Sequence, residues 1–93
     1  DYLPGIYDVT FFLKAEDIPP GENSIARLEV IDSETRSTLA YQKVSGQDFS
    51  LSPRYQGFDL RAVLRRPTKI EFRVYNKGSA ALFFDKVTIR GRH

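Results

Sequence analysis

Cysteine, methionine and tryptophan are absent, and the single histidine is the final residue, His93. Without cysteine the chain has neither disulfides nor thiolate metal sites. Without a histidine inside the chain, Ser–His and Cys–His nucleophile systems have no base to build on. Glycine-rich phosphate loops and His–Glu metal motifs are missing as well. The expectation is a protein that is not an enzyme. Long apolar runs are also lacking. The longest, Ala80 to Phe84, falls far short of the roughly 20 residues that cross a bilayer, so no direct membrane insertion is expected. No signal peptide is visible. The chain opens on Asp1 and has no Met, which reads as a piece excised from a larger protein, with any targeting signal outside it.

Charge of one sign is scarce too. Fourteen Lys and Arg against twelve Asp and Glu leave a formal charge of +2, too small a surplus for a broad phosphate-binding face. Arg65 with Arg66 reads as a solvated turn, and Arg90 with Arg92 as a solvated tail. No nucleic-acid partner is expected.

What the chain does have is material for a core. Hydrophobic residues make up 41%, with seven Phe and five Tyr. That composition excludes disorder, which goes with few aromatic and β-branched residues. Ninety-three residues suit one domain, 1–93. A chain of this size buries only about 60–65% of its unfolded surface, so its one core must be efficient.

Strand signals dominate. Gly5 to Lys14 puts Tyr7, Val9, Phe11 and Leu13 on one face and Asp8, Thr10, Phe12 and Lys14 on the other. Ile18-Pro19-Pro20-Gly21 interrupts the chain. Ser24 to Asp32 alternates again, with Ala26, Leu28 and Val30 inward and Arg27, Glu29 and Ile31 outward. A polar turn from Asp32 to Ser37 leads to Thr38–Val44, the expected hairpin partner. A looser stretch from Ser45 to Arg54 carries a lone Phe49, read as a plug that ties the loop to the core. Tyr55 to Leu64 is ambiguous: Phe58, Leu60 and Ala62 suit a strand, whereas Leu60, Val63 and Leu64 have helical spacing. The surrounding β pattern and Pro67 favour the strand.

Lys69 to Tyr75 turns Ile70, Phe72 and Val74 inward and Glu71, Arg73 and Tyr75 outward. Asn76 to Ser79 reads as a hairpin turn. In the last segment, Ala80 to Arg90, the inward residues run Leu82, Phe84, Val87 and Ile89. The period of two slips at Asp85-Lys86, which predicts a β-bulge there. The expected core joins Tyr7, Phe11, Leu28, Val30, Phe72, Val74, Phe84 and Val87 between two antiparallel sheets. The fold class is all-β: an antiparallel β-sandwich, most simply a jelly roll.

The opening PGIYDVTFFLK, the middle EFRVYN with KGSA, and the closing LFFDKVTIR resemble galactose-binding-like jelly rolls, the β-sandwiches that include many carbohydrate-binding modules. The likeness runs over nearly the whole chain, in hydrophobic pattern and a few punctuating residues. It implies two kinds of site. One is a structural calcium, with Asp85 at the position of the last-strand aspartate and Glu16, Asp17 or Glu22 supplying loop oxygens. The competing role for Asp85 is to accept hydrogen bonds from loop amides at the bulge. The other is a sugar site, where rings stack on the sugar and polar side chains take its hydroxyls. Phe12, Tyr75 and Phe83 are the candidate rings, and Arg27, Arg73, Glu29 and Glu71 the polar partners. The competing account is a salt-bridged sheet face whose rings cover a neighbouring domain. A Glu29–Glu71 pair also imitates a glycosidase, but both lie beside arginines on flat strands, where ion pairing is simpler.

Two functions therefore compete. The first is a carbohydrate-binding module, with a glycan as partner, appended to a larger extracytoplasmic or envelope protein. The second is an accessory domain that packs on a neighbouring domain or subunit and has no ligand of its own. A ligand site combines exposed rings with convergent hydrogen-bonding groups in a groove, whereas a packing face is flatter and more continuously apolar.

Overall fold

The computed structural model describes residues 1–18, 24–50, 54–78 and 80–92. Glu22, the Pro19–Gly21 interruption, Ser79 and His93 lie outside these. Six strands follow in order: β1 (Gly5–Glu16), β2 (Ser24–Asp32), β3 (Thr38–Ser45), β4 (Gln56–Leu64), β5 (Ile70–Asn76) and β6 (Ala81–Arg92). They form two antiparallel three-stranded sheets, ordered β4-β1-β6 and β3-β2-β5, which pack face to face as a β-sandwich. The long alternating segments β1 and β2 take the two central places, as expected of strands with one continuous apolar face.

Alternation decides what is buried. Val9, Phe11, Leu13 and Ala15 of β1, Ala26, Leu28 and Val30 of β2, and Phe58, Leu60 and Ala62 of β4 make one core. Each fully buried Phe, Leu or Val contributes about 1.5–3 kcal/mol relative to exposure. The ambiguous segment is a strand: Leu60 and Leu64 are buried, but Val63, which a helix would place with them, is exposed. Phe49 is buried, with its ring 5.0 Å from that of Phe58, and so plugs the core from its loop. Phe72 is half-buried and meets Phe11 edge to face across the sheets at 6.1 Å.

The bulge lies where the period slips. Phe12 stands opposite Lys86 but Leu13 opposite Phe84, so Asp85 is the extra residue of β6. Five features differ from the sequence reading. Tyr7, expected in the core, is half-buried outside it, its hydroxyl donating to the Leu3 carbonyl at 2.6 Å. Phe84 faces the inner side opposite buried Leu13, yet it is 51% exposed. β6 is an edge strand, and inward direction there does not bring cover. Ile31, expected outside, is buried where the β2–β3 register shifts. Asn76 to Ser79 is not a hairpin turn, because β5 and β6 belong to different sheets. Its local chemistry is as expected: Gly78 has φ 85° and donates its N–H to Asn76 Oδ1 at 2.8 Å. Finally, Arg90 and Arg92 belong to β6 rather than to a tail, and Arg92 Nε donates to Asp8 Oδ2 at 2.7 Å.

The two sheets close differently on their two sides. At the side where β3 lies over β4, the inward residues of β4 are buried. At the other side, β5 and β6 each have one hydrogen-bonded neighbour among the described strands, and none of their inward residues is fully covered.

Candidate functional site

Outward positions of the β3-β2-β5 sheet fall into rows set by register. Tyr41, Glu29 and Arg73 form one row, and Lys43, Arg27 and Tyr75 the next. Arg and Glu alternate along β2 and β5, and Glu29 faces Arg73 across them, which stabilises a sheet face, while Lys43 faces Arg27 as a like-charged pair. Arg27 Nε donates to Glu29 Oε2 at 2.6 Å, and Arg73 Nε donates to Glu71 Oε2 at 2.5 Å. Arg73 also donates to the Tyr75 hydroxyl at 3.3 Å. That bond and the Glu71 carboxylate hold the Arg73 guanidinium above its ordinary pKa. The Arg27 guanidinium lies 4.3 Å from the centre of the Tyr41 ring, within cation–π range.

Tyr41 is 57% exposed, and no described residue hydrogen-bonds its hydroxyl. It forms one rim of a groove of about 520 Å³ in the seam between β3 and β4. Ala40 and Leu60 give this groove an apolar lining, and Gln42, Asp59 and Arg61 are the polar residues along it. Asp59 accepts from the Thr10 hydroxyl at 2.6 Å, and Arg61 lies 3.5 Å from Asp8, so both are held in place from the neighbouring strand. A second hollow of about 400 Å³ continues along the seam and shares Leu39 with the first. At its end Arg66 reaches Asp32 at 3.2 Å.

The expected sugar-site residues are divided between two faces. Arg27, Arg73 and Tyr75 share the outer face of β3-β2-β5 with Tyr41. Phe12 and Phe83 lie on the outer face of the other sheet, beside Lys86 and Lys14. There Lys14 Nζ stands 4.9 Å from the Phe83 ring centre and 5.1 Å from that of Tyr55. Phe12 has a structural task, because its ring lies over Gly57, where an added Cβ would come within 3.4 Å of it. Tyr41, Gln42, Asp59 and Arg61 were not singled out by the sequence. Tyr41 was within reach: it is the exposed ring of the hairpin partner, directly opposite Glu29.

Of the acidic residues read as calcium ligands, Glu16, Asp17 and Asp85 are described and Glu22 lies outside the described residues. Glu16 stands opposite Ala81, four residues along β6 from Asp85, and its carboxylate is 3.6 Å from Lys14 Nζ. Asp17 is exposed, with φ 55°. Asp85 is exposed at the bulge. Among the described residues no three His, Cys, Asp or Glu side chains cluster. No protein-family model matches this sequence, and no curated protein or solved structure was found to match it.

Proposed function

We propose that this chain is a non-catalytic carbohydrate-binding module, carried by a larger extracytoplasmic or envelope protein, and that the β3–β4 seam takes the sugar. The observation that carries the reading is the groove itself. One exposed ring, Tyr41, is among its lining residues, together with Gln42 of one sheet and Asp59 and Arg61 of the other. Sugar recognition needs this combination: a flat apolar surface for the C–H face of a pyranose, and oriented donors and acceptors for its hydroxyls. Arg27 behind the ring holds Tyr41 in position. The adjoining hollow gives the seam length for a chain of sugars rather than one residue.

A shallow site of this kind binds weakly, with Kd near 1 mM, or about −4 kcal/mol. A glycan array followed by calorimetric titration of the best hit tests the proposal. Tyr41→Ala is expected to abolish measurable binding and to leave the melting temperature nearly unchanged, because the ring is exposed. Tyr75→Ala, on the same face but away from the groove, is expected to retain it. Absence of any glycan response, or binding that survives Tyr41→Ala, removes this reading.

A further inference from the structure

From the opposite side of the sandwich we infer an interaction surface for a protein strand: an extended segment, apolar at alternate positions and acidic between them, that pairs with the free edge of β6. The inference does not rest on the sugar reading, since the β3–β4 seam lies at the other side of both sheets.

Three observations lead to it. First, Phe72 and Val74 of β5 and Leu82, Val87 and Ile89 of β6 pack against the core while remaining partly open, and Phe84 is 51% exposed. Inward residues of β1, β2 and β4 at the same depth of the sandwich are closed off. The flank formed by β5 and β6 is thus a partly open apolar edge that an added strand would cover. Second, β6 runs from Ala81 to Arg92 and, among the described residues, has β1 as its one hydrogen-bonded neighbour. Its other side presents a row of backbone donors and acceptors, which an added strand satisfies and a helix cannot.

Third, beyond the bulge the outward row of β6 reads Lys86, Thr88, Arg90, Arg92, with no acid. Arg92 is taken up by Asp8, and Lys86 lies over the Phe12 ring. Arg90 has no partner among the described residues. An incoming strand sets its outward side chains directly beside these, where opposite charges attract and like charges repel. That row selects an acidic segment. It also argues against a second copy of this chain pairing through β6, which would bring Lys86, Arg90 and Arg92 against the same basic row.

The test uses this domain and two synthetic ten-residue peptides, one alternating Val with Glu and one alternating Val with Lys. Binding is followed by tyrosine fluorescence, and its place by amide hydrogen exchange. The acidic peptide is expected to bind and to protect β6 amides, while the basic one does not. The double variant Lys86→Glu, Arg90→Glu changes two exposed positions that the core does not use. It is expected to weaken the acidic peptide about tenfold or more and to admit the basic one. Failure of the acidic peptide to bind at millimolar concentration overturns the inference. So does binding that ignores the charge reversal, or protection falling on β3 or β4 instead of β6. Dimerisation of the domain through β6 would also overturn it, by making a second copy the occupant. Loss of glycan binding in Tyr41→Ala leaves all these outcomes unaffected.

Discussion

Asp32 ends β2 with a carboxylate that accepts the backbone N–H of Glu34 at 2.9 Å and of Thr35 at 3.2 Å. Arg66 reaches its other oxygen. The Thr35 amide, with Glu34 and Arg66 in support, holds the Asp32 pKa below the ordinary aspartate range. Asp8 is lowered too, first by its hydrogen bond from Arg92 and then by the charges of Arg92 and Arg61. For a carboxylate depressed in the folded state, the stabilisation is complete above the unfolded pKa. It is lost as pH falls through the folded one. Melting temperature is therefore expected to fall on acidification between about pH 5 and pH 2. In Asp32→Asn that acid-side fall is expected to be smaller, starting from a lower melting temperature at neutral pH. An identical acid slope in the variant would show that Asp32 does not carry the effect. The turn role of Asp32 was legible in the sequence, since an Asp followed by small polar residues makes such a turn. Its bond to Arg66 was not, because thirty-four positions separate them.

The strands were the most legible elements, and for a definite reason. Period-two alternation is imposed by the pleat itself, so Tyr7 to Leu13 and Phe58 to Leu64 declare their inner face wherever the sheet lies. The Asp85 bulge was legible on the same ground, as a slip in that period. What alternation cannot report is cover. Phe84 has the inward direction and lacks the neighbour, because its strand is at an edge. Nor does turn chemistry report destination: Asn76 and Gly78 specify a reversal equally well within one sheet or between two. The candidate site was harder to read, since Tyr41 and Asp59 come from strands whose adjacency is set by the packing of both sheets. Phe12 illustrates the converse. An outward ring reads as a ligand platform, but here it shields Gly57 on the edge strand β4, which has no side chain to protect its backbone. Aromatic cover of an edge glycine is a stabilising device. Phe12→Ala is expected to cost about 0.5–1 kcal/mol in urea unfolding while leaving glycan binding at the β3–β4 seam intact. Lost binding with unchanged stability would return Phe12 to the ligand site.

At the scale of the whole molecule, connectivity and pairing run against each other. Only β2 and β3 are both consecutive in sequence and hydrogen-bonded to each other; every other connection carries the chain from one sheet to the other. β1 pairs with β4 and β6, so the sheet built around it is entirely non-local. Non-local pairing must meet the loop-closure cost before contacts repay it, and such folds form on the order of milliseconds to seconds. Stopped-flow refolding monitored by tyrosine fluorescence is expected to fall in that range, and a microsecond rate would contradict this topology. The order of synthesis sharpens the consequence. A ribosome releases Gly5–Glu16 first and Ala81–Arg92 last of the six strands, adding roughly 5–20 residues each second. For those seconds the central strand of its sheet has one flank with no partner yet made. The nascent β1 is thus a stretch that chaperones would be expected to shelter, and the arrival of β6 is the event that releases it.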